Sequence, residues 1–371
     1  MKAENLEKII ELRHRLHREP ELSGKEAGTI RMLSTFLHEN TSLEVISRDG
    51  WFYAVKHGSS ETSPIAFRAD MDALPMDEGI NLPYASINPG IAHKCGHDGH
   101  SAALCGLALE LDQMTAQRTV YLVFQPAEEI GQGGERCADL IREKGISEIY
   151  AFHNRSGFPE KSIIYRRNLT QPASEGLTIR LQGKTSHASE PELGKNPAAA
   201  LAELLLYSRD IITGLQDGMT LCTPVGMQCG TDDFGISAGE GHLSFTLRAE
   251  KEPVMFRMEK ALLQRAAELA ERDGLFLSHE IRDRFPETAN HDCAIDRVIK
   301  AASELRLRSI EMRDVWRGSE DFGYYLKKCP GAIFYIGNGE SYAPIHTRTF
   351  DFNDSILETA VDMFLTLACD D

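Results

Sequence analysis

Apolar and polar residues follow two different patterns along this chain of 371 residues. In the first part, short runs at 64–69, 119–124 and 148–152 are almost entirely apolar, and segments with helical periodicity separate them. Strands that are buried on both faces and connected by helices are typical of a parallel sheet with helices on each side. The pattern therefore predicts an α/β fold with a doubly wound, mostly parallel sheet.

Two helices are predicted before the first of these strands. Apolar residues between Leu6 and Leu16 recur with helical spacing. The segment Ser-Gly-Lys-Glu at 23–26 matches a capping box, which predicts that a second helix begins there and reaches about residue 37.

The pattern changes near residue 172, where the strands begin to alternate between apolar and polar residues. Strands and helices are predicted in turn at 177–181, 198–212, 242–248, 253–272 and 275–282. Half-polar strands indicate a sheet that is covered on one face only. We therefore expect an inserted, smaller α+β domain at 172–284, which divides a catalytic domain into a first part at 1–171 and a second part at 285–371.

Polar residues follow the three apolar strands of the first part. Asp70 and Asp72 follow the first strand, Glu128 and Glu129 the second, and His153 the third. In open α/β sheets, ligands bind beyond the carboxyl ends of the strands. The five residues are therefore expected to share one site, although Asp before a Pro-containing loop and a lone His at a strand end also occur for structural reasons.

Cys95 and His97 are separated only by Gly96. A thiolate and an imidazole can approach one cation from such a tight loop, and glycine removes side-chain bulk between them. The same pair also fits a nucleophilic Cys95 activated by His97, and a buried cysteine beside a helix start is often inert.

The adjacent carboxylates Glu128 and Glu129 suit a metal-dependent hydrolase. Neighbouring side chains leave the backbone in different directions, so one can bind a metal while the other stays free as a proton-transfer base. A solvated pair at a helix start is the alternative interpretation.

Composition excludes several classes of function. The formal net charge of −16 argues against a nucleic-acid partner and against binding to an anionic membrane. The eight cysteines contain no C-x-x-C pair and do not suggest a disulfide framework. No apolar stretch approaches the ~20 residues needed to cross a bilayer, and the charged N-terminus shows no signal peptide. The cytoplasm is the expected location.

Taken together, the motifs resemble a known family: the aminoacylase/carboxypeptidase-G type of di-metal metallopeptidases. Within that family, the chain is most similar to the branch of N-acyl-amino-acid and auxin-conjugate amidohydrolases. The resemblance covers nearly the whole chain, and the motifs occur in one order. They are the segments 17–23, 67–75, 95–100, 124–129, 183–189 and 318–322, followed by His346.

The resemblance implies two divalent metal ions per subunit and a role for each matching residue. The implied metal ligands are Cys95, His97, Glu129, His153 and His346. Glu128 would be the general base, which takes a proton from metal-bound water and passes it to the leaving amine. Asp70 and Asp72 would lie beside the metals as catalytic acidic residues. His187 would enter the site of a neighbouring subunit and steady the oxyanion, and the inserted domain would be a lid that also dimerises.

These implications define the expected activity. The substrate would be a small N-acyl amino acid or a dipeptide-like amide, and the protein would form a homodimer or higher homo-oligomer. Zinc suits the mixed ligand set best, with manganese, cobalt or nickel as alternatives. A dipeptidase or carboxypeptidase on the same scaffold, or a non-catalytic metal-loaded binding protein, remains open as an alternative.

Three segments depart from the family pattern. They are the residues after His153 at 154–159, the lid segment at 234–237, and Thr347-Arg348 after His346. Because the metal set itself is intact, we expect these departures to affect substrate preference, with the segments lining the acyl or carboxylate pocket.

Overall fold

The computed structural model describes residues 1–60, 62–215 and 218–370, which form two compact units. The first unit contains Met1–Thr170, Thr288–Val315 and the chain from Glu320 onwards, and the second contains Gln171–Glu287 and Trp316–Ser319. Within the described residues, every helix is too short or too polar to span a membrane.

Helices and strands are numbered in chain order. The α-helices are α1 (Ala3–Arg18), α2 (Ala27–Asn40), α3 (His97–Asp112), α4 (Gly134–Cys137), α5 (Asp139–Lys144), α6 (Ala198–Ile211), α7 (Glu252–Asp273), α8 (Asp292–Glu304), α9 (Gly323–Leu326) and α10 (Leu357–Cys369). The strands are β1 (Glu44–Arg48), β2 (Trp51–Lys56), β3 (Ile65–Asp70), β4 (Val120–Gln125), β5 (Glu148–Ser156), β6 (Ile163–Tyr165), β7 (Asn168–Gln171), β8 (Ala173–Gln182), β9 (Ser186–His187), β10 (Thr220–Cys229), β11 (Ile236–Ser237), β12 (Glu240–Ala249), β13 (Phe276–Phe285), β14 (Thr288–Asn290), β15 (Ser309–Glu311) and β16 (Gly331–Gly339).

The large sheet of the first unit has the strand order β1-β2-β4-β3-β5-β16-β6-β15. Its centre, β4-β3-β5-β16, is parallel, as the apolar runs predict. The pairs β1–β2, β2–β4 and β6–β16 are antiparallel, so the sheet as a whole is mixed. The β1–β2 pairing follows from the connection, because the two residues Asp49 and Gly50 form a hairpin turn with Gly50 at φ 71°. The predicted α/β class is confirmed.

Both faces of this sheet are covered, as expected for a doubly wound fold. Phe52 and Phe67 point to one face, where they join a core with α1, α2, α3, α8 and α10. Tyr53 and Ala66, one residue along each strand, belong to a second core with α4, α5 and α9. The alternation of side chains along a strand therefore distributes the apolar runs between two helical layers.

The second unit contains a four-stranded antiparallel sheet with the order β10-β12-β8-β13. Leu177 and Ile179 of β8 and Phe245 of β12 form a core with α6 and α7, and polar residues alternate with them along the strands. Strand β10 is missing from the sequence prediction. Pro224 interrupts its apolar pattern, and the residue is compatible with the sheet because β10 is an edge strand with a register shift between Pro224 and Gly226.

The predicted capping box at 23–26 is wrong. Helix α2 begins at Ala27 without a side-chain cap, because Ser23 Oγ instead donates to Asp72 Oδ2 at 2.6 Å and Glu26 Oε1 accepts from the backbone N–H of Ala127 at 2.8 Å. Tertiary hydrogen bonds therefore replace the local capping pattern.

Candidate metal centre

The candidate site lies at the carboxyl end of the central parallel strands of the first unit. Asp70 is the last residue of β3, Glu128 and Glu129 follow β4 by three and four residues, and His153 lies near the end of β5. Because these strands are parallel neighbours, their ends meet at one edge of the sheet. The structure therefore brings these four residues together at one edge of the sheet.

The loop that carries Cys95 and His97 is shaped by Gly96. This glycine has φ 110°, and a β-carbon at its position would lie only 2.2 Å from Asn154 Oδ1. Helix α3 then begins at His97. A side chain at position 96 would therefore both strain the backbone and displace Asn154, which explains why the two metal-capable residues are separated by glycine.

All five residues that the resemblance implies as metal ligands are close together. Cys95 Sγ lies 3.4 Å from His153 Nε2 and 3.3 Å from His346 Nε2. Glu129 Oε1 lies 3.6 Å from His346 Nε2 and 3.7 Å from His97 Nε2. They form two groups of potential ligand atoms, Cys95–His97–His153 and Cys95–Glu129–His346, and both groups contain Cys95.

Two residues of the site have left-handed backbone conformations although they are not glycines. Ala127 has φ 53° and directly precedes Glu128, and its N–H donates to Glu26. His346 has φ 58°, and its N–H donates to the carbonyl of Lys94 at 2.7 Å, next to Cys95. Such conformations cost about 1–3 kcal/mol and persist where the surrounding structure holds them. The hydrogen bonds from these two residues fix the segments that carry Glu128 and His346.

Asp72 orients the imidazole of His97. Its carboxylate Oδ1 and its carbonyl oxygen lie 3.2 Å and 2.9 Å from His97 Nδ1. Nδ1 therefore donates to Asp72, and Nε2 faces Glu129. The other carboxylate oxygen of Asp72 accepts from Ser23 Oγ and from the N–H of Glu129 at 3.0 Å. Carboxylates in this position fix the ring orientation of a ligating histidine.

Asp70 has a different environment from Asp72. It lies 2.6 Å from His100 Nδ1, and Arg68 Nη1 donates to it at 2.7 Å. Burial opposes its ionisation, but the charges of His97, His100 and Arg68 outweigh burial and hold the pKa of Asp70 well below its ordinary value. Asp70 is therefore an ionised carboxylate beside the candidate ligands.

Four residues near the site are absent from the sequence-predicted set. Arg68 Nη2 lies 3.1 Å from Glu320 Oε1 and 2.8 Å from Asp321 Oδ1, and all three side chains are buried. His100, the fourth, lies on α3 three residues after His97. A charged residue within an otherwise apolar strand was the available signal for Arg68. Glu320 and Asp321 belong to a segment that also resembles an ordinary helix start, yet here they bind Arg68.

The site has an excess of buried negative charge. Burial raises the pKa of Glu128 well above its ordinary value, and Glu320, Asp321 and Glu129 raise it further. Burial also raises the pKa of Glu129, to about 7, although His97 lowers it. Burying ionised carboxylates without a counter-charge is costly, and a bound cation removes that cost.

The donor atoms fit divalent metals. Within the described residues, the buried atoms His97 Nε2 and Glu129 Oε1 have no hydrogen-bond partner. Buried polar atoms without partners are unusual and point to a missing ion or water. Thiolate, imidazole and carboxylate together are the ligand types of zinc and related transition metals.

His187 is the one predicted site residue that lies in the second unit. It is exposed on β9, which pairs with β11, and its Nδ1 lies 2.7 Å from Ser189 Oγ. The cluster in the first unit therefore forms without it, and its role stays a prediction.

Comparison with known sequences identifies the family. The sequence profile described as "Peptidase family M20/M25/M40" matches residues 66–370. The chain belongs to this family. It is 29% identical over 373 aligned positions to the N-acetylcysteine deacetylase of Bacillus subtilis (strain 168), with 97% of this chain and 96% of the relative covered. It is also 29% identical to the hippurate hydrolase of Campylobacter jejuni, with 96% and 94% covered.

A solved structure supports the metal centre. The chain is similar to a dinuclear metal binding peptidase of the M20 family from Bacillus subtilis, with a TM-score of 0.81, 26% identity and coverage of 99% of this chain and 98% of that chain. Together with the family match and the ligand groups, this similarity shows that the chain is a metal-dependent amidohydrolase with a site for two divalent metal ions.

Arg68→Met tests the buried charge network. The variant leaves Asp70, Glu320 and Asp321 without their shared cation, so we expect the free energy of unfolding of the metal-free protein to fall by about 3–5 kcal/mol. Urea denaturation measures the change. Arg48→Met removes an exposed ion pair with Glu143 and should cost less than about 1 kcal/mol. If the free energy of unfolding falls equally in the two variants, Arg68 does not stabilise the buried carboxylates more than an exposed ion pair would.

Proposed function

We propose that this protein hydrolyses the amide bond of N-acyl amino acids or similar small amides, with Glu128 as general base. The proposal depends on one observation: two groups of potential ligand atoms share Cys95, and the carboxylate of Glu128, which is not among the five proposed ligands, lies beside them. Glu128 Oε2 lies 3.9 Å from His97 Nε2. The relatives named for deacetylation of N-acetylcysteine and for hydrolysis of hippurate support this substrate class.

The proposed ligands of the two cations are Cys95, His97, Glu129, His153 and His346. Divalent cations held there would lower the pKa of water and polarise the amide carbonyl. Their identity is proposed as zinc, with manganese, cobalt or nickel as alternatives under other loading conditions.

Glu128 handles the proton in the proposed reaction. Its carboxylate takes a proton from the attacking water and delivers it to the amine nitrogen as the C–N bond breaks. Burial and the neighbouring Glu320 and Asp321 raise its proton affinity, which favours a carboxylate that holds the proton between the two transfers. Asp72 keeps the His97 ring in one orientation, and Asp70 holds His100.

The remaining features of the proposal concern assembly and location. We propose that residues 172–284 form a lid, which is inserted in the sequence between the two parts of the catalytic domain at 1–171 and 285–371. This lid would also join two subunits in a homodimer or a higher homo-oligomer. His187 of one subunit would then stabilise the oxyanion in the site of the other. We also propose the cytoplasm as location, which agrees with eight cysteines that are all free within the described residues.

Glu128→Gln tests the assigned base. The amide keeps the shape of the side chain but cannot accept the proton, so kcat on N-acetyl amino acids should fall by about 10²–10⁴-fold. Metal content, measured by elemental analysis, should stay at the wild-type level because Glu128 is not an assigned ligand. Glu135→Gln changes an exposed carboxylate seven residues away and should leave kcat unchanged. Wild-type turnover in Glu128→Gln would contradict the assignment.

Metal removal separates the proposal from a nucleophilic cysteine. Dialysis against a chelator should abolish hydrolysis, and two equivalents of zinc per chain should restore it. Burial and the carboxylates of Glu129 and Glu128 raise the pKa of the Cys95 thiol, so Cys95 of the metal-free protein should react slowly with a thiol alkylator, as mass spectrometry of the labelled peptides measures. Activity that survives the chelator but is lost on alkylation would instead favour Cys95 as nucleophile.

Mixing two inactive variants tests whether His187 acts in the site of the neighbouring subunit. If each site uses His187 of the neighbouring subunit, a heterodimer of Glu128→Gln and His187→Ala contains one site in which both residues are intact. Random mixing should then restore about a quarter of wild-type activity, since half of the dimers are mixed and each has one complete site. The mixture is assayed after unfolding and refolding together. If the activity of the mixture only equals the sum of the activities of the two variants assayed alone, His187 does not act in the neighbouring site.

A further inference from the structure

His346 is the most exposed of the five candidate metal ligands. Its side chain is 49% exposed, whereas that of Glu129 is 10% exposed and the other three are buried. It also lies in a long loop, because residues 340–353, all of which the structure describes, contain no helix or strand. Contacts with the rest of the first unit must therefore fix this loop if His346 is to stay near the other ligands.

Lys94 holds the loop at two points. Its carbonyl oxygen accepts from the N–H of His346 at 2.7 Å, and its ammonium donates to the carbonyl oxygen of Phe350 at 2.7 Å. The two points lie four residues apart and enclose the part of the loop that directly follows His346. Because Lys94 also directly precedes Cys95, one residue connects the loop to the shared member of the two ligand groups.

The ammonium of Lys94 has an unusual environment. The side chain is completely buried, and a lysine is seldom buried in this way unless it is paired. Its partner is Glu78, whose second carboxylate oxygen lies 2.9 Å from His17 Nε2. Burying such a pair costs free energy that an apolar side chain would avoid. What the lysine adds is the hydrogen bond to Phe350, which an apolar side chain cannot make.

Other candidate ligands have supports of their own. His97 is the first residue of α3, and Asp72 holds its ring. His153 belongs to β5, which lies between two parallel neighbours in the large sheet. Lys94 therefore supports the ligand group that contains His346 more than the group that contains His153.

We propose that Lys94 is a positioning residue that holds His346 in place, so that one of the two proposed metal ions depends on Lys94 more strongly than the other. The proposal rests on the ligand set given above and adds a residue outside that set. Lys94 binds neither metal nor substrate and takes no part in proton transfer. Loss of its contact with Phe350 should loosen the loop and weaken the metal site to which His346 contributes.

Lys94→Met tests the proposal through zinc affinity, measured on the zinc-loaded protein by competition with a chromophoric chelator. The affinity of one site should fall by about 10- to 100-fold, as is typical when a residue that orients a ligand is lost, and that of the other by less than about threefold. Lys300→Met removes an exposed ion pair with Asp370 and should leave both affinities unchanged. Unchanged affinities in Lys94→Met, or equal losses at both sites, would overturn the proposal.

A double-mutant cycle shows whether Lys94 acts through His346. In the His346→Ala background, Lys94→Met should cause no further loss at the weakened site, because the side chain that Lys94 positions is already absent. In the His153→Ala background, the effect of Lys94→Met on the site that uses His346 should persist. Additive losses in the His346→Ala background would mean that Lys94 does not act through His346.

Two further measurements separate this inference from a folding defect and from an error in the ligand set. Lys94→Met combined with Glu78→Gln removes both charges of the pair, so this variant should fold, as circular dichroism measures, and show the same loss at one site. If His346→Ala alone leaves both zinc affinities unchanged, the proposed ligand set fails, and this inference with it. If His346→Ala weakens one site and neither Lys94 variant does, the ligand set stands and the role of Lys94 is refuted.

Discussion

The concentration of carboxylates at one buried edge of the sheet is the constraint on which the site depends. Asp70, Asp72, Glu128 and Glu129 lie within a region almost closed to water, where unpaired negative charge is costly. The protein itself supplies only part of the compensation. Arg68 forms an ion pair with Asp70, and the histidines and the metal ions must compensate the charge of the remaining carboxylates. Folding and metal binding are therefore linked through the same electrostatic requirement.

The different roles proposed for Glu128 and Glu129 agree with this distribution of charge. Glu129 is directed towards Cys95 and His346, and its N–H is held by Asp72. Glu128 is grouped both with His97 and with the buried pair Glu320 and Asp321. The left-handed backbone at Ala127 changes the chain direction just before the two glutamates. In the proposed site, Glu129 therefore belongs to the ligand set, while Glu128 lies between that set and the buried carboxyl groups of Glu320 and Asp321, which raise its pKa.

The sequence predicts the parts of the fold and site that depend on local patterns. Apolar runs locate β3, β4 and β5, and the rule that ligands gather at the carboxyl ends of parallel strands links Asp70, Glu128 and His153. Features that depend on distant contacts are not predictable in this way. Arg68 meets Glu320 across about 250 positions of sequence, and no local pattern reports that pairing. For the same reason the predicted capping box at 23–26 is wrong, because Ser23 donates its hydrogen bond to Asp72 and does not cap the helix.

The donor atoms and the residues beside them are under different constraints. Cys95, His153 and His346 come from three segments, and backbone features such as the hydrogen bond from His346 to Lys94 hold their positions. The flanking residues do not contribute to the ligand groups, so they can change without altering the donor set. Asn154 and Arg155 directly follow the candidate ligand His153 on β5 and therefore have fixed positions relative to it. The scaffold that fixes the candidate ligands thus also fixes the residues next to them, including those that depart from the family pattern.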